Sequence, residues 1–391
     1  YSTDLGSREN PHVTIQDAID AAKPGDRVVL LQGIYKGDGN RDLDLRCKPI
    51  TIASEDPSDW AVVEDTVIHC DGSEDDPHRA FVFRNGEKAT TVIDGVTVTA
   101  GYSDAGGALH FENDSNPRFE RCVFTRNTAK WGGVVLCNES HPEFTECRFV
   151  GNTASNTGAV IYNDKSSPVL LDCQFKKNLA EKYSGGAIYN TNESHPEVNR
   201  CRFFSNSAHG SYGGAICNKE GSSPSILNSL FAQNSAKWGG AVLNYGTQAE
   251  ILNSTFVLNH ATESVGGVYN HEVSSKLTNC ILWLNTHAKG NTQEAQVYGE
   301  GDVTYCCIQD DDILDGHASY GGADNHNIDE DPLFVLLSTG SSGDQGDFRL
   351  RPGSPCINSG HNSVVPAMDV DLNGYDRVQQ GRIDMGAHEF Q

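Results

Sequence analysis

The chain has few basic residues and no long hydrophobic run. Lys and Arg number 29 against 53 Asp and Glu, which gives a formal net charge of −24. This acidity argues against nucleic acid as a partner, because phosphate backbones bind basic surfaces, and it suits a soluble exported protein. No apolar run approaches the roughly 20 residues of a membrane span. No signal peptide is visible either, so we expect Tyr1 to be a processed N-terminus.

Several catalytic and cofactor motifs are also missing. The sequence has no Gly-x-Ser-x-Gly, no phosphate-binding P-loop and no dinucleotide fingerprint. Its twelve cysteines include no Cys-x-x-Cys pair, which argues against a zinc or redox centre. We therefore expect no required cofactor, with calcium, discussed below, as the one ion that the sequence suggests.

What the sequence does contain is one motif repeated six times between Pro117 and about Ser274. The copies are 25 to 28 residues long, and partial copies flank them at Ile93 and Ser275. A fixed period in this range indicates a solenoid, in which each unit buries its apolar face by stacking on its neighbours. The copies begin at Pro117, Pro142, Pro168, Pro196, Pro224 and Ala249.

Aligned copies share four columns. A mostly Cys column precedes a mostly Phe column by two residues, so both point to one side of a strand, which we expect to be the interior. Two Asn columns follow, and because Asn tolerates left-handed backbone, we predict bends there. The columns are, in order, Cys122, Cys147, Cys173, Cys201, Ser229, Ser254 and Cys280; Phe124, Phe149, Phe175, Phe203, Phe231, Phe256 and Leu282; Asn127, Asn152, Asn178, Asn206, Asn234, Asn259 and Asn285; and Asn113, Asn138, Asn163, Asn190, Asn218, Asn244 and Asn270.

The cysteines of the inward column are predicted to be packed free thiols. Neighbours in one column point in parallel, which is poor geometry for a disulfide, and buried thiols behave as small hydrophobic groups. Candidate disulfides lie elsewhere: Cys47 with Cys70, and a pair among Cys306, Cys307 and Cys356.

Short strands, regular bends and stacked like side chains predict an all-β fold, a single-stranded right-handed parallel β-helix. Before the first strand, a short helix with Thr14 as N-cap and Pro24-Gly25 as its end is expected to cover the open end of the solenoid. We predict one domain over residues 1–391. It comprises an N-terminal cap at 1–35, rungs at 36–285, long loops at 286–346 and a closing segment at 347–391.

These motifs carry resemblances to known families. The combination of Phe-x-x-Asn with Gly-Gly-Ala-Ile/Val-x-Asn resembles repeats of the secreted right-handed parallel β-helix (pectate-lyase-like) superfamily, including autotransporter-type surface proteins. The N-terminal helix resembles the start of β-helix polysaccharide lyases, and the motifs at 369–374 and 384–390 resemble the C-terminal region of choice-of-anchor-Q proteins. The resemblance implies the fold and a bacterial protein that is secreted or on the cell surface. Function follows from it only by analogy.

Function on such a fold lies on the outer face, where equivalent residues of successive rungs form lines that suit a linear polymer. One line precedes the Gly-Gly column. Its aromatic rings can stack on sugars, and its basic groups can bind an acid or remove a proton. The alternative is that the rings pack over glycines of the next rung. We assign substrate binding to Lys130, Trp131, His209, Tyr212, Lys237 and Trp238, and catalysis to Lys182 and Tyr183.

A second line, of carboxylates, follows the second Asn column. It contains Glu139, Asp164, Glu193, Glu220 and Glu272. Carboxylates on adjacent rungs would be about 5 Å apart and those on alternate rungs about 10 Å, separations that bracket retaining and inverting glycosidases. We therefore name Glu139, Asp164 and Glu193 as further catalytic candidates. The alternative is a solvated acidic edge that keeps the protein soluble.

Two further motifs suggest sites. The segment at 369–374 matches the start of a calcium-binding EF-hand loop, although its twelfth position is Gln380 rather than Glu. It predicts Ca²⁺, structural or catalytic, on Asp369, Asp371 and Asn373. Residues 75–79 partly resemble the Asp-Pro-His-Glu site of alginate epimerases but depart from it at Arg79.

Together these features predict an extracellular carbohydrate-active enzyme. It would bind a polysaccharide along the β-helix and cleave glycosidic bonds, as a hydrolase or as a lyase. The alternative is a non-catalytic surface adhesin or glycan-binding β-helix protein, because the strongest motifs are architectural. A polysaccharide is the expected partner, and we expect a monomer.

Overall fold

The computed structural model describes residues 5–272, 274–288, 290, 292–309, 325–337, 345–364, 370–379 and 381–391. Through these residues the chain winds as a right-handed parallel β-helix of about eleven turns. A complete turn passes through four parallel sheets in the order A, B, D, C, and each strand pairs with its equivalents in the turns before and after. The predicted fold class is confirmed.

Sheets A and B run the length of the solenoid. Sheet A consists of β1 (Arg27–Leu30), β3 (Thr51–Ser54), β6 (Val92–Asp94), β10 (Arg118–Glu120), β14 (Glu143–Thr145), β18 (Val169–Leu171), β22 (Glu197–Asn199), β26 (Ser225–Leu227), β30 (Glu250–Leu252), β34 (Ser275–Thr278) and β37 (Gly301–Thr304). Sheet B consists of β2 (Gly33–Tyr35), β4 (Thr66–His69), β7 (Thr97–Thr99), β11 (Val123–Thr125), β15 (Arg148–Val150), β19 (Gln174–Lys176), β23 (Arg202–Phe204), β27 (Leu230–Ala232), β31 (Thr255–Val257), β35 (Ile281–Trp283) and β38 (Cys307–Ile308).

Sheets C and D cover fewer turns and meet at a glycine-rich corner. Sheet D consists of β8 (Tyr102–Ala105), β12 (Thr128–Trp131), β16 (Thr153–Thr157), β20 (Leu179–Ala180), β24 (Ser207–Tyr212), β28 (Ser235–Trp238) and β32 (His260–Ser264). Sheet C consists of β5 (Phe81–Phe83), β9 (Leu109–Phe111), β13 (Val135–Asn138), β17 (Ile161–Asp164), β21 (Ile188–Thr191), β25 (Ile216–Asn218), β29 (Val242–Tyr245), β33 (Val268–His271) and β36 (Val297–Tyr298).

The predicted N-terminal helix is present as α1 (Ile15–Ala21). Thr14 caps it by accepting a hydrogen bond from the Asp17 amide, and buried Ile15 and Ile19 join the core of the solenoid. Within the described residues the other helical elements are α2 (Trp60–Asp65), α3 (Gln293–Gln296) and a 3₁₀ turn at Asn362–Val364. Helix α1 therefore covers the apolar interior at the first turn, as its amphipathic pattern indicates.

The Phe column forms the centre of the core. All six phenylalanines, from Phe124 to Phe256, are fully buried, and consecutive rings stack with centroids 4.6 to 5.1 Å apart. The inward column of cysteines beside it is buried as predicted. All twelve cysteines lie in the described ranges as free thiols, with Cys47 exposed and Cys70 buried, so neither candidate disulfide is present.

The first Asn column is a buried hydrogen-bond ladder at the bend between sheets B and D. In Asn178, for example, Nδ2 donates to the Phe149 carbonyl at 3.0 Å and to Asn206 Oδ1 at 2.8 Å, and the backbone N–H donates to the same Oδ1 at 3.2 Å. The ladder continues to Asn285, which donates to Gln296 Oε1 at 2.8 Å. It satisfies backbone groups that the bend would leave unpaired.

The second Asn column differs from the prediction. The strand register pairs Asn163 with Cys137 rather than with Asn138, so Asn138 belongs to the neighbouring outward position. The residues from Asn163 to Asn270 are buried inside strands of sheet C, and their amides form a second ladder, with 2.7 Å between Asn163 Nδ2 and Asn190 Oδ1. The predicted bend at this column is therefore wrong from Asn163 onward, whereas Asn113, with φ +60°, does occupy a bend after β9. The left-handed residues follow the Asn column, as at Lys165 and Glu220.

The C-terminal residues cover the outer face of sheet B over its later turns. β39 (Phe334–Leu336) pairs in antiparallel fashion with β40 (Asp347–Leu350). Outward residues of sheet B, among them Phe204 and Leu230, pack in one buried cluster with this hairpin and with Cys356, Leu372, Met385 and Ala387. The closing segment is thus bound to the solenoid by an apolar interface on sheet B.

Candidate functional site

Each full turn passes from sheet D to sheet C through a glycine corner. From Gly106 to Gly239 the first residue of the corner is a glycine with positive φ, and in the last corner Val265 takes that position. At Gly213, with φ +65°, a Cβ would lie 2.2 Å from the Ile216 carbonyl oxygen and 2.9 Å from Cys217 Cβ. The backbone therefore turns so sharply that the end of a strand in sheet D approaches the outward side chains of sheet C. Outward residues on the two sides of the corner converge.

These convergent residues form a surface that we call the aromatic face. Sheet D contributes Trp131, Tyr212 and Trp238 at the ends of its strands. Sheet C contributes two outward columns, set by strand register. The first column is Leu136, Tyr162, Tyr189, Cys217, Leu243, Tyr269 and Tyr298, and the second is Asn138, Asp164, Thr191, Lys219, Tyr245 and His271.

The rings of the aromatic face contact one another along the solenoid axis. Ring centroids are 5.3 Å apart for Tyr162 and Tyr189, and 5.1 Å apart for Tyr212 and Trp238. Other ring surface is open to solvent, since Trp131 is 41% and Tyr298 46% exposed. Such a surface presents flat apolar faces with polar edges, which is what stacking on sugar rings requires.

At one place the aromatic face deepens into a cavity of about 90 Å³. Its lining residues are Tyr212, Trp238, Leu243, Tyr245, Tyr269 and His271. The His271 ring lies 4.8 Å from that of Tyr245, and its Nδ1 is 3.3 Å from the Tyr269 hydroxyl. The cavity therefore has aromatic walls and a few polar atoms, the usual composition of a small-ligand site.

Some of the predicted substrate-binding residues lie on the aromatic face and others lie elsewhere. Trp131, Tyr212 and Trp238 belong to the aromatic face, and the Lys237 ammonium lies 5.9 Å from the Trp238 ring centroid. Lys130 instead forms an ion pair with Asp104 at 2.8 Å, and His209 is exposed on sheet D. The sequence reasoning missed the tyrosines of sheet C. They occupy the variable position of the Gly-Gly-Ala-Ile-x-Asn motif, which could have indicated an outward line.

The predicted catalytic residues Lys182 and Tyr183 follow β20, the shortest strand of sheet D. Both are exposed, Tyr183 to 56%. In the described part of the chain no hydrogen bond or ion pair joins them to Glu139, Asp164 or Glu193. Their catalytic assignment therefore stays a prediction.

The carboxylate line runs along the turns that follow sheet C. Glu139 forms an ion pair with Lys165 at 3.3 Å, and Asp164 accepts a hydrogen bond from Asn192 at 2.8 Å. Glu193, with φ +61°, occupies a left-handed turn position. The partners of Glu139 and Asp164 lie one turn further along the chain, so these contacts join adjacent rungs. They are the contacts expected of a solvated edge, and a catalytic role for Glu139, Asp164 and Glu193 stays a prediction.

The proposed calcium residues lie in the closing segment. Asp369 is outside the described residues. Asp371 Oδ1 accepts from the backbone N–H groups of Asn373 and Tyr375, both at 2.8 Å, and its Oδ2 accepts from the Glu389 N–H at 2.9 Å. These three donors fix the loop around Asp371, and a calcium role for Asp369, Asp371 and Asn373 stays a prediction. Within the described ranges no group of three His, Cys, Asp or Glu side chains is arranged to hold a metal.

A polar cluster begins the aromatic face at the first turns. Phe81 pairs with Leu109 of the next turn. Arg79, two residues before Phe81, therefore occupies the position that the corner glycine Gly107 has in that turn. Its guanidinium lies 2.7 Å from His110 Nδ1 and also donates to Ser103 Oγ. Because a guanidinium only donates, His110 Nδ1 accepts and Nε2 carries the proton. Next to it, His78 lies between the carboxylates of Asp42 and Asp76.

The contact between Arg79 and His110 can be tested by measuring how the free energy of unfolding changes at acidic pH. Burial, and then the Arg79 charge, lower the pKa of His110 below its ordinary value of 6.5. The unfolded chain takes up a proton at a pH where the folded chain does not, so stability falls as the pH drops through 6.5. We expect His110→Gln to lose less stability than the wild type between pH 7 and pH 5, in urea midpoints compared at both pH values. Parallel losses in the two proteins would contradict the assignment.

Comparisons with known proteins agree with the architecture. A family model described as right handed beta helix region matches residues 64–231. Among solved structures, the crystal structure of pectate lyase Pel9A is similar at 14% sequence identity with a TM-score of 0.56, covering 98% of this chain and 92% of that chain. A comparison with curated protein sequences found no match.

These findings support the parallel β-helix superfamily and, at this identity, concern the fold alone. The resemblances to autotransporter repeats and to the choice-of-anchor-Q tail stay predictions. In the described residues no helix is both long enough and apolar enough to cross a membrane.

Proposed function

We propose that this right-handed parallel β-helix is an extracellular protein that binds a polysaccharide lengthwise along its aromatic face. The observation that carries the proposal is the convergence of Tyr212 and Trp238 with Tyr245 and Tyr269 of sheet C across the glycine corner. Strands of successive turns lie about 4.8 Å apart, so the rings offer a repeating platform parallel to a linear polymer. The similar structure of a protein named as a pectate lyase is consistent with this use of the fold.

Cleavage of the bound polymer is the second part of the proposal. Its support is the cluster of His78, Arg79 and His110 at the first turns of the same face. A half-buried guanidinium and a neutral imidazole that carries its proton on Nε2 would bind and polarise an acidic or carbonyl group on the polymer. In the non-catalytic alternative, the protein is a glycan-binding protein or adhesin. It would bind the polysaccharide on the same aromatic face and would not cleave it.

Binding is tested by electrophoresis in gels that contain neutral or uronic-acid polysaccharides, followed by titration calorimetry with the one that retards migration. We expect Trp238→Ala and Tyr269→Ala each to weaken binding roughly two- to tenfold, because a lost stacking contact is worth roughly 0.5–1.5 kcal/mol. Tyr375→Ala is the matched control, since Tyr375 is 48% exposed but lies in the closing segment. Equal retardation of all four proteins would contradict the proposal.

Cleavage is tested on the same polysaccharides. New reducing ends with absorbance from unsaturated products would establish a lyase, and reducing ends without that absorbance would establish a hydrolase. Assays with and without added calcium also test whether the calcium ion suggested by the motif at 369–374 affects activity. Binding without any product would leave the glycan-binding function in place and overturn the enzymatic part.

A further inference from the structure

We infer that the cavity in the aromatic face is a subsite for a sugar unit bearing an anionic substituent, and that Lys219 is the residue that selects it. The inference rests on the proposed glycan binding and adds the chemical class of one bound unit. It is carried by three observations: the size of the cavity, the position of the Lys219 ammonium, and the absence of an ion pair to that ammonium among the described residues.

The cavity is matched to a substituent rather than to a whole sugar. Its volume of about 90 Å³ equals that of about three water molecules. Trp238 and Tyr212 form one wall from sheet D, and Tyr245 and Tyr269 form the other from sheet C. A sugar ring stacked at the rim would direct a substituent of a few heavy atoms into this space.

Lys219 is held against two of these walls. Its Nζ lies 4.5 Å from the Tyr212 ring centroid and 5.7 Å from that of Tyr245. Both distances are within the range of cation–π attraction, so the rings fix the ammonium beside the cavity. Lys219 directly follows β25, and its neighbour Asn218 pairs with Asn244, the neighbour of Tyr245. Lys219 is therefore equivalent to Tyr245 of the next turn, and its contacts with the Tyr212 and Tyr245 rings place its side chain on the aromatic face.

The charge of Lys219 is not matched by a protein carboxylate in the part of the chain that the structure describes. Other lysines form such pairs, namely Lys36, Lys88, Lys130, Lys165 and Lys276. The adjacent Glu220 is instead bound to the Thr191 hydroxyl at 2.6 Å. Such a pair is also absent among the described residues for Lys23, Lys176, Lys177, Lys182 and Lys237. What distinguishes Lys219 is that its half-buried side chain places the ammonium against two aromatic rings beside the cavity.

Ligand chemistry follows from these contacts. Apolar ring surface beside the ammonium lowers the local dielectric, so an ion pair formed there is stronger than one on an open polar surface. The ammonium is therefore complementary to a carboxylate or a sulfate ester on the sugar, two anionic groups of the right size. A neutral substituent would leave the ammonium without an ionic partner.

The test uses three oligosaccharides of equal length and the same backbone: one neutral, one carboxylated and one sulfated. Dissociation constants are measured by calorimetry for the wild type, Lys219→Met and Lys219→Arg, with Lys177→Met as a control at an exposed bend between sheets B and D. We expect the wild type to bind an anionic oligosaccharide at least tenfold more tightly than the neutral one. Lys219→Met should remove that preference, whereas Lys219→Arg and Lys177→Met should keep it.

The outcomes separate this inference from the proposed function. The oligosaccharide whose tighter binding is lost in Lys219→Met identifies the anionic group as carboxylate or sulfate. If the wild type binds all three oligosaccharides equally and Trp238→Ala weakens binding of the neutral one, the role of Lys219 is overturned. Glycan binding by the aromatic face is then left intact. Equal weakening of neutral and anionic binding by Lys219→Met would overturn it as well. Absence of binding to all three, with Trp238→Ala behaving like the wild type, would instead count against the proposed function.

Discussion

Replacing Asn206 by Leu is expected to lower the free energy of unfolding by about 3–6 kcal/mol, although the two side chains are similar in size. Asn206 Nδ2 donates to the Phe175 carbonyl at 2.9 Å and to Asn234 Oδ1 at 3.0 Å. Its own Oδ1 accepts from the backbone N–H and the Nδ2 of Asn178. Leucine removes all these partners inside a dry core, and each buried polar group left unpaired costs about 1–3 kcal/mol.

The measurement is the midpoint of urea-induced unfolding, which is monitored by circular dichroism. Asn156→Leu is the matched control, because Asn156 is a half-buried strand residue of sheet D outside the ladder. We expect a change there within about 0.5 kcal/mol. A midpoint for Asn206→Leu close to that of Asn156→Leu would show that the Asn ladder does not determine the stability of the solenoid.

Gly213→Ala is expected to destabilise the protein far more than Gly246→Ala. Both glycines have left-handed backbone, with φ +65° and +60°, so alanine costs about 1–2 kcal/mol at either position. A Cβ at Gly213 would also lie 2.2 Å from the Ile216 carbonyl oxygen, whereas nothing lies within 4 Å of a Cβ at Gly246. The backbone at the corner must then shift, which adds about 1–3 kcal/mol.

The two variants also test how the aromatic face is built. Gly213 forms the corner that brings Tyr212 toward the outward residues of sheet C, and Gly246 follows β29 away from that corner. We therefore expect Gly213→Ala to weaken glycan binding even at temperatures where it is folded, and Gly246→Ala to bind like the wild type. Thermal midpoints and binding constants are measured on the same preparations. Equal effects of the two substitutions on both quantities would contradict this account of the corner.

The features that the sequence predicted correctly depend on local patterns. The Phe and Cys columns are two residues apart, and a two-residue spacing places side chains on one face of a strand whatever the rest of the fold does. Thr14 and the Ile15/Ile19 pair predicted α1, because capping and helical periodicity act within a few residues.

The second Asn column shows where local patterns fail. Asn138 and Asn163 look equivalent in the sequence, but the strands of sheet C are only three or four residues long in this part, and the structure pairs Asn163 with Cys137. A shift of one residue moves every side chain to the opposite face. Neighbouring turns decide the register, because the amides from Asn163 onward gain a ladder by pointing inward.

The candidate site was predicted in part for the same reason. Trp131, Tyr212 and Trp238 precede glycine pairs and are visible as a line, whereas Tyr162 and Tyr269 lie in the motif position that varies between copies. Their meeting with the sheet D residues requires the corner geometry, which no single repeat displays. The cover on sheet B likewise joins Phe204 to Met385, residues far apart in the chain.

The sequence by itself determined the solenoid, its inward columns and its capping helix. A repeat of 25 to 28 residues can bury its apolar face only against the next copy, and that requirement is written into every copy. The tertiary structure alone decided which outward columns share a surface and where the closing segment packs. Both depend on the angle of the glycine corner and on contacts between distant residues, and these exist only once the turns are stacked.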